Sequence, residues 1–162
     1  MAIRRWVVNA SPLILLGKAC HLDLLFELAD AVVVPRAVIS EIAAKPDGKQ
    51  TLHRLSRSES YFAGNNERVR HEILGWDLDT GETQVIANAQ RYGADRVILD
   101  DMAARRCATA VGLKVIGTLG IVGRAKRMGK IEQAAPIIAR LRQTGLYVSE
   151  GLVRRVLREV GE

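Results

Sequence analysis

The chain has little of what several protein classes require. Cysteine is scarce: Cys20 and Cys107 stand alone among 162 residues, with no Cys-x-x-Cys spacing. That excludes a disulfide framework and a thiolate zinc motif. Both thiols fall in apolar, helical-looking stretches and are expected to be buried and free in a reducing cytoplasm. The histidines, His21, His53 and His71, have no partner at metal-ligand spacing. No apolar run reaches the length of a membrane span, so none is expected. Arg4 and Arg5 ahead of apolar residues imitate the start of a signal peptide. Asn9, Ser11 and Pro12 interrupt that run, however, and no small-residue cleavage site follows. Aromatic residues make up only 4%, which leaves few platforms for stacking bases.

What is present suits one globular domain spanning 1–162. Hydrophobic residues are 48% and charged residues 26%, too apolar and too balanced for a disordered chain. The net charge of +6 is unevenly spread. Residues 1–101 carry 12 basic and 14 acidic side chains, whereas residues 102–162 carry 12 basic and 4 acidic. A basic surplus favours an anionic partner such as nucleic acid.

Short apolar runs alternate with helical periodicity. Trp6 to Val8, Ala31 to Val34, Arg96 to Leu99 and Lys114 to Ile116 read as strands. Ser11 is placed to cap a helix whose first turn holds Pro12. Further helices are expected through Leu22–Leu28, Arg36–Ala44, Glu82–Tyr92, Met102–Val111, Leu119–Met128, Ile131–Gln143 and Leu152–Val160, with a short one in Glu67–Leu74. Residues 45–65 hold Pro, Gly and Ser and read as a partly helical excursion with loops. Strands apolar on both faces and separated by helices predict an α/β fold, a parallel sheet covered on each side.

In such sheets function collects at the carboxyl ends of the strands. Asn9 and Ser11 follow the first strand. Glu41 lies in the helix after the second, Glu82 opens a helix in DLDTGETQVIA, and Asp100 with Asp101 ends the third. Each has a plainer reading: Glu82 as the capping-box partner of Asp79, Glu41 as an exposed helix residue, and the Asp pair as a helix cap. Gathered at one edge, these carboxylates would repel by ~4 kcal/mol per pair at 4 Å and an effective dielectric of 20. A cation would have to offset that, and oxygen ligands without His or Cys point to Mg2+ or Mn2+. A carboxylate-held divalent ion beside basic residues suggests phosphodiester chemistry. Arg105 and Arg106, about a turn beyond the Asp pair, could clamp a phosphate backbone. Arg124, Lys126, Arg127 and Lys130 form a second basic cluster, a nucleic-acid contact or a solvated helix face.

The segments VVNASPLILLGKA, VVVPRAVISEI, TGETQVIA and VILDDMAARRCATAVGLKVIGTLGIVGRAK occur in the order of the motifs of PIN-domain proteins. The chain resembles in particular predicted nucleic-acid-binding PIN proteins similar to the VapC toxins of prokaryotic toxin–antitoxin systems. The likeness runs from about residue 6 to the C-terminus, with no recognisable motif in 46–66. It implies a three-layer α/β/α sandwich with an acidic pocket that binds Mg2+ or Mn2+ and hydrolyses single-stranded RNA through a metal-activated water. Glu41 resembles the second acidic position of that pocket, Glu82 the third, Asp100 or Asp101 the fourth, and Ser11 the hydroxyl residue supporting the first ligand. The first position departs from the pattern: the family usually has Asp there, and this chain has Asn9. An amide oxygen can coordinate a hard cation but brings no charge, so the fold is expected and the activity is in question. The resemblance also implies a homodimer, a small antitoxin protein as partner, and a cytoplasmic location.

Overall fold

The computed structural model describes residues 3–162. Five parallel strands form one sheet: β1 (Arg5–Val8), β2 (Ala31–Pro35), β3 (Tyr61–Gly64), β4 (Arg96–Ile98) and β5 (Val115–Ile116), in the order β3-β2-β1-β4-β5. The helices are α1 (Ala10–Lys18), α2 (Asp23–Leu28), α3 (Arg36–Ala43), α4 (Gly48–Ser56), α5 (His71–Leu74), α6 (Thr80–Tyr92), α7 (Met102–Ala110), α8 (Thr118–Arg127), α9 (Ala135–Gln143) and α10 (Glu150–Glu159). The chain is the α/β sandwich expected, with helices flanking a parallel sheet.

The central strands are β-branched and closed to water. Every residue of β2 is buried, as are Trp6, Val7 and Val8 of β1. β1 pairs on one side with β2 (Trp6 opposite Val32) and on the other with β4 (Val7 opposite Val97). Helix α6 packs on β1, β2 and β4 and touches α7. Helices α1, α2, α8 and α9 pack on one another, and α2 and α8 bring them against β2 and β5. With so few aromatics the core is filled by Leu, Val, Ile and Ala. Trp6 is the largest core side chain, and its indole N–H donates to Asp95 Oδ2 at 3.3 Å.

Three local expectations change. Residues 45–65 contain helix α4 but also a strand, β3, which closes one sheet edge. Ser11 does not cap α1: Asn9 holds the N-cap position, with no side-chain cap bond, and Ser11 lies inside the first turn. Cys107 is buried as expected, but Cys20 is exposed, because it ends α1 in the left-handed region at φ 62°. Among the described residues no helix is long and apolar enough to cross a membrane.

The strand order fixes where a ligand can sit. The connection leaving β1 runs to β2 on one side, whereas β4 lies on the other. The loops after β1 and β4 therefore diverge and leave a crevice at their carboxyl ends. Asn9 follows β1 directly, and Asp100 and Asp101 follow β4.

Candidate acidic active site

A cavity of about 480 Å3 fills that crevice, and it is lined by Asn9, Ser11, Glu41, Glu82, Asp100 and Asp101 together. All the carboxylates singled out from the sequence meet there, although they come from three separate segments, and Asn9 and Ser11 join them from a fourth. Asp79, Lys45 and Tyr147 line it as well. Asp79 was readable as a capping residue only, and it is one: its Oδ1 accepts the Glu82 N–H at 2.8 Å, while Glu82 Oε2 accepts the Asp79 N–H at 3.3 Å. Glu82 completes the capping box and also lines the cavity, since the box aims α6 and its first turn there. Lys45 and Tyr147 carry no local motif that could have announced them.

The acids are anchored in different ways. Asp100 is bound on both oxygens by Thr118, whose N–H donates to Oδ1 at 2.7 Å and whose hydroxyl donates to Oδ2 at 2.6 Å. Gly117, the N-cap of α8, has no side chain to offer, so a carboxylate from another segment satisfies that helix end. The first glycine of the GTLG segment allows this: a Cβ on Gly117 would stand 2.6 Å from Arg105 Nη1 and 2.9 Å from Asp100 Oδ1. Asp101 caps its own helix, accepting the Ala104 N–H at 3.0 Å. Removing the Asp100 carboxylate leaves Thr118, which is fully buried, without its partners. Asp100→Ala is therefore expected to cost about 1–3 kcal/mol, a Tm loss of about 2–4 °C per kcal/mol, in a thermal melt run with chelator. An unchanged Tm would show that Asp100 does not hold α8.

The pocket is electrostatically crowded. Burial pushes Glu82 up to about 6, assisted by the charges of Asp79, Asp101 and Glu41. Glu41 is raised in the same sense, by partial burial and then by Asp79, with Lys45 opposing. Asn9 adds no charge. It is 7% exposed, and its Oδ1 is buried with no hydrogen-bond partner among the described residues. A buried acceptor left unpaired costs roughly 1–3 kcal/mol, so its presence at this position calls for a donor or a cation.

The residues suit a hard cation in the chemistry of their donors. The donors are all oxygens. The orphan Asn9 Oδ1 faces the same point as two carboxylates: a Cβ on Gly81 would stand 3.3 Å from Glu41 Oε2, 3.4 Å from Asn9 Oδ1 and 3.5 Å from Asp79 Oδ1. Nevertheless, no three His, Cys, Asp or Glu side chains among the described residues lie close enough together to hold an ion. Repulsion and the backbone bonds of Asp79, Glu82, Asp100 and Asp101 keep the carboxylates apart. An ion here would draw Glu41 inward, because that side chain is exposed and has no hydrogen bond holding it away.

Gly81 keeps that point open. Gly81→Ala sits in the first turn of α6, where a methyl favours the helix, so stability in chelator is expected to be unchanged or higher. If the crevice takes Mn2+, the rise in Tm that 1 mM of the ion produces is expected to shrink or disappear. A Mn2+ response equal to wild type would place the ion elsewhere.

The basic residues divide. Arg105 comes to the pocket's edge, where its Nη1 donates to the Leu99 carbonyl at 3.0 Å. Arg106 is exposed on the next position of α7. The second cluster is not beside the acids. Helix α8 starts at Thr118 against Asp100 and runs ten residues, about 15 Å at 1.5 Å each, so Arg124, Lys126 and Arg127 end up away from the crevice, with Arg124 toward the amino ends of β4 and β1. There Lys126 donates to the Glu132 carbonyl and pairs with Glu162, and Arg124 is lowered by burial and by the charge of Arg96.

Comparison with known proteins gives the family. Residues 5–162 match the family model DUF3368, described as a PIN domain. The chain belongs to this PIN-domain family, whose members are commonly nucleases and generally use divalent metal ions. No curated protein matches the chain. Among solved structures it is similar to a PilT N-terminus domain protein from the hyperthermophilic archaeon Sulfolobus solfataricus P2. That likeness has 15% identity and a TM-score of 0.45, and it covers 90% of this chain and 98% of the other.

Proposed function

We propose that the protein is a metal-dependent endoribonuclease that cleaves single-stranded RNA in the cytoplasm, as the toxin of a toxin–antitoxin pair. The observation that carries the nuclease reading is the crevice at the ends of β1 and β4, where five carboxylates and the unpaired Asn9 oxygen converge beside Arg105. The motif likeness to VapC toxins supports the toxin role.

Glu41, Glu82 and Asp101 would hold Mg2+ or Mn2+, with Asn9 contributing its amide oxygen. When bound, the ion lowers the pKa of a water and polarises the phosphate. Asp101 is the better primary ligand of the Asp pair, because its charge is the one that reaches Glu82 and only one of its oxygens is occupied by a helix cap. Asp100, bound by Thr118 through both oxygens, is a positioning residue that fixes the loop after β4. Ser11 stands in the first turn of α1 on the cavity wall. Arg105, held on the Leu99 carbonyl, orients the phosphate.

One observation favours a second reading. Asn9 removes a negative charge from the pocket, and a PIN fold of this kind could bind RNA or a protein without cutting. The test is cleavage of a mixed single-stranded RNA with Mn2+, with and without chelator, beside Glu41→Gln, Asp100→Asn and Asp101→Asn. The nuclease reading expects chelator-sensitive cutting that Glu41→Gln and Asp101→Asn abolish. Cutting that survives both substitutions would sink the assigned site.

A further inference from the structure

Beside the acidic crevice lies a second cavity, of about 730 Å3, between the outer side of α7 and the edge strand β5. Its charge is of one sign. Arg96, Arg105, Arg106 and Lys114 line it, and no Asp or Glu does. Arg106 and Lys114 are exposed and have no ion-pair partner among the described residues. The floor is apolar: Leu113 and Val115 are half-buried, and Met102 is 58% exposed.

Arg105 joins the two cavities. It lines the basic one, yet its Nη1 sits against the Leu99 carbonyl and beside Asp100 at Gly117. A chain lying in the groove would therefore pass directly onto the Asp100 corner of the acidic crevice. Arg106 and Lys114, with Arg105 and the Asp95-paired Arg96 behind them, along an apolar floor match a polyanion that also exposes flat apolar faces, which is single-stranded nucleic acid: phosphates meet the cations while bases lie on Met102, Leu113 and Val115. A duplex hides its bases and would leave that floor in water. A peptide strand added to β5 is the poorer fit, because β5 offers only two residues of edge for main-chain pairing.

We infer that the groove between α7 and β5 is the track along which single-stranded RNA reaches the acidic crevice, with Arg106 and Lys114 as phosphate contacts. The identity of the strand rests on the nuclease reading; the groove itself does not. The experiment measures fluorescence anisotropy of a fluorescein-labelled 12-nucleotide single-stranded RNA on the whole protein in chelator, from 50 to 200 mM salt. The double variant Arg106→Glu, Lys114→Glu is expected to bind at least tenfold more weakly at 50 mM. Its slope of log affinity against log salt is expected to fall by about 1.4, two contacts at about 0.7 each. A control pair on α10, Arg154→Glu with Arg155→Glu, reverses the same number of charges and is expected to stay within about threefold of wild type.

Equal losses in both pairs would mean diffuse attraction and overturn the track. So would unchanged binding by the groove variant, tighter binding of the matching duplex, or an acidic peptide that competes as well as RNA. Cleavage with Mn2+ is followed in parallel. Wild-type cutting with unchanged groove-variant binding removes the track and leaves the nuclease. Groove-dependent binding without any cutting removes the nuclease and leaves the track.

Discussion

Replacing Glu82 by glutamine is expected to make the protein more stable and less active in a single step. Glutamine keeps the capping box, because its side-chain oxygen can still accept the Asp79 N–H that Glu82 Oε2 accepts now. What it removes is a charge that the fold disfavours. Glu82 sits at about 6 in the folded protein against an ordinary 4.5, so between those values the folded state binds more protons than the unfolded one. Stability then falls as pH rises through that window, and the full penalty stands above pH 6. Glu41, raised for the same reasons, contributes with the same sign. The Tm advantage of Glu82→Gln is expected to be largest at pH 7–8 and to vanish below about pH 4.5. Each kcal/mol gained is worth about 2–4 °C. Cleavage is expected to fall by more than the 10–100-fold typical of losing a residue behind a metal ligand. Melts of both proteins from pH 4 to 8 check the first half, and a Tm difference that does not vary with pH would show that charge crowding is not its cause.

Asn9→Asp is the opposite experiment. It returns a carboxylate to the one site position that lacks one, and there the present amide oxygen is buried and unpaired. Without metal the added charge joins Glu41, Asp79, Glu82 and Asp101 and is expected to lower the Tm. With metal the sign reverses. A Mn2+ dissociation constant at least ~10-fold lower is expected, which is about 1.4 kcal/mol, and calorimetry or the Mn2+-induced rise in Tm measures it. Cleavage decides between the two functional readings. If the native chain cuts RNA and the variant cuts faster, the amide oxygen already serves as a weak ligand. If the native chain is inert and the variant cuts, the native protein is a binding module on a nuclease frame. Unchanged Mn2+ affinity would mean that position 9 is not a ligand at all.

The fold was largely legible because its central strands are short apolar runs bounded by Asp, Pro and Asn. The strand that escaped notice, β3, has only one fully buried residue, Gly64; Phe62 and Ala63 are exposed, as an edge position allows. Its apolar run, Tyr61 to Ala63, is short and set among Ser, Gly and Asn residues that read as loop. The sheet order was not readable, since which strand pairs with β1 is a tertiary choice. Glu82 and the Asp pair stood out because they open a helix and follow a strand, and Glu41 because it lies in the helix directly after β2. Asp79 was overlooked for the reason Glu82 was doubted: one local motif, the capping box, accounts for both. Lys45 and Tyr147 reach the crevice from a helix end and from the loop after α9. The basic cluster on α8, readable either as a nucleic-acid contact or as a solvated helix face, lies at the far end of a ten-residue helix from Asp100, a distance the sequence does not show.

The pairing of β1 with β4 also sets a timetable. Trp6 must wait for Arg96, and Val7 for Val97, so the ladder that frames the crevice closes a loop of about ninety residues. Contacts of such long range form late and slowly, and chains emerge from the ribosome N-terminus first. During synthesis β1, β2 and β3 exist before any residue that follows β4. Asp100 gains its Thr118 anchor later still. A growing chain thus carries Asn9 and Glu41 past nearby RNA while lacking half of the acids, and whatever chemistry the crevice performs is withheld until almost three-quarters of the protein has been made.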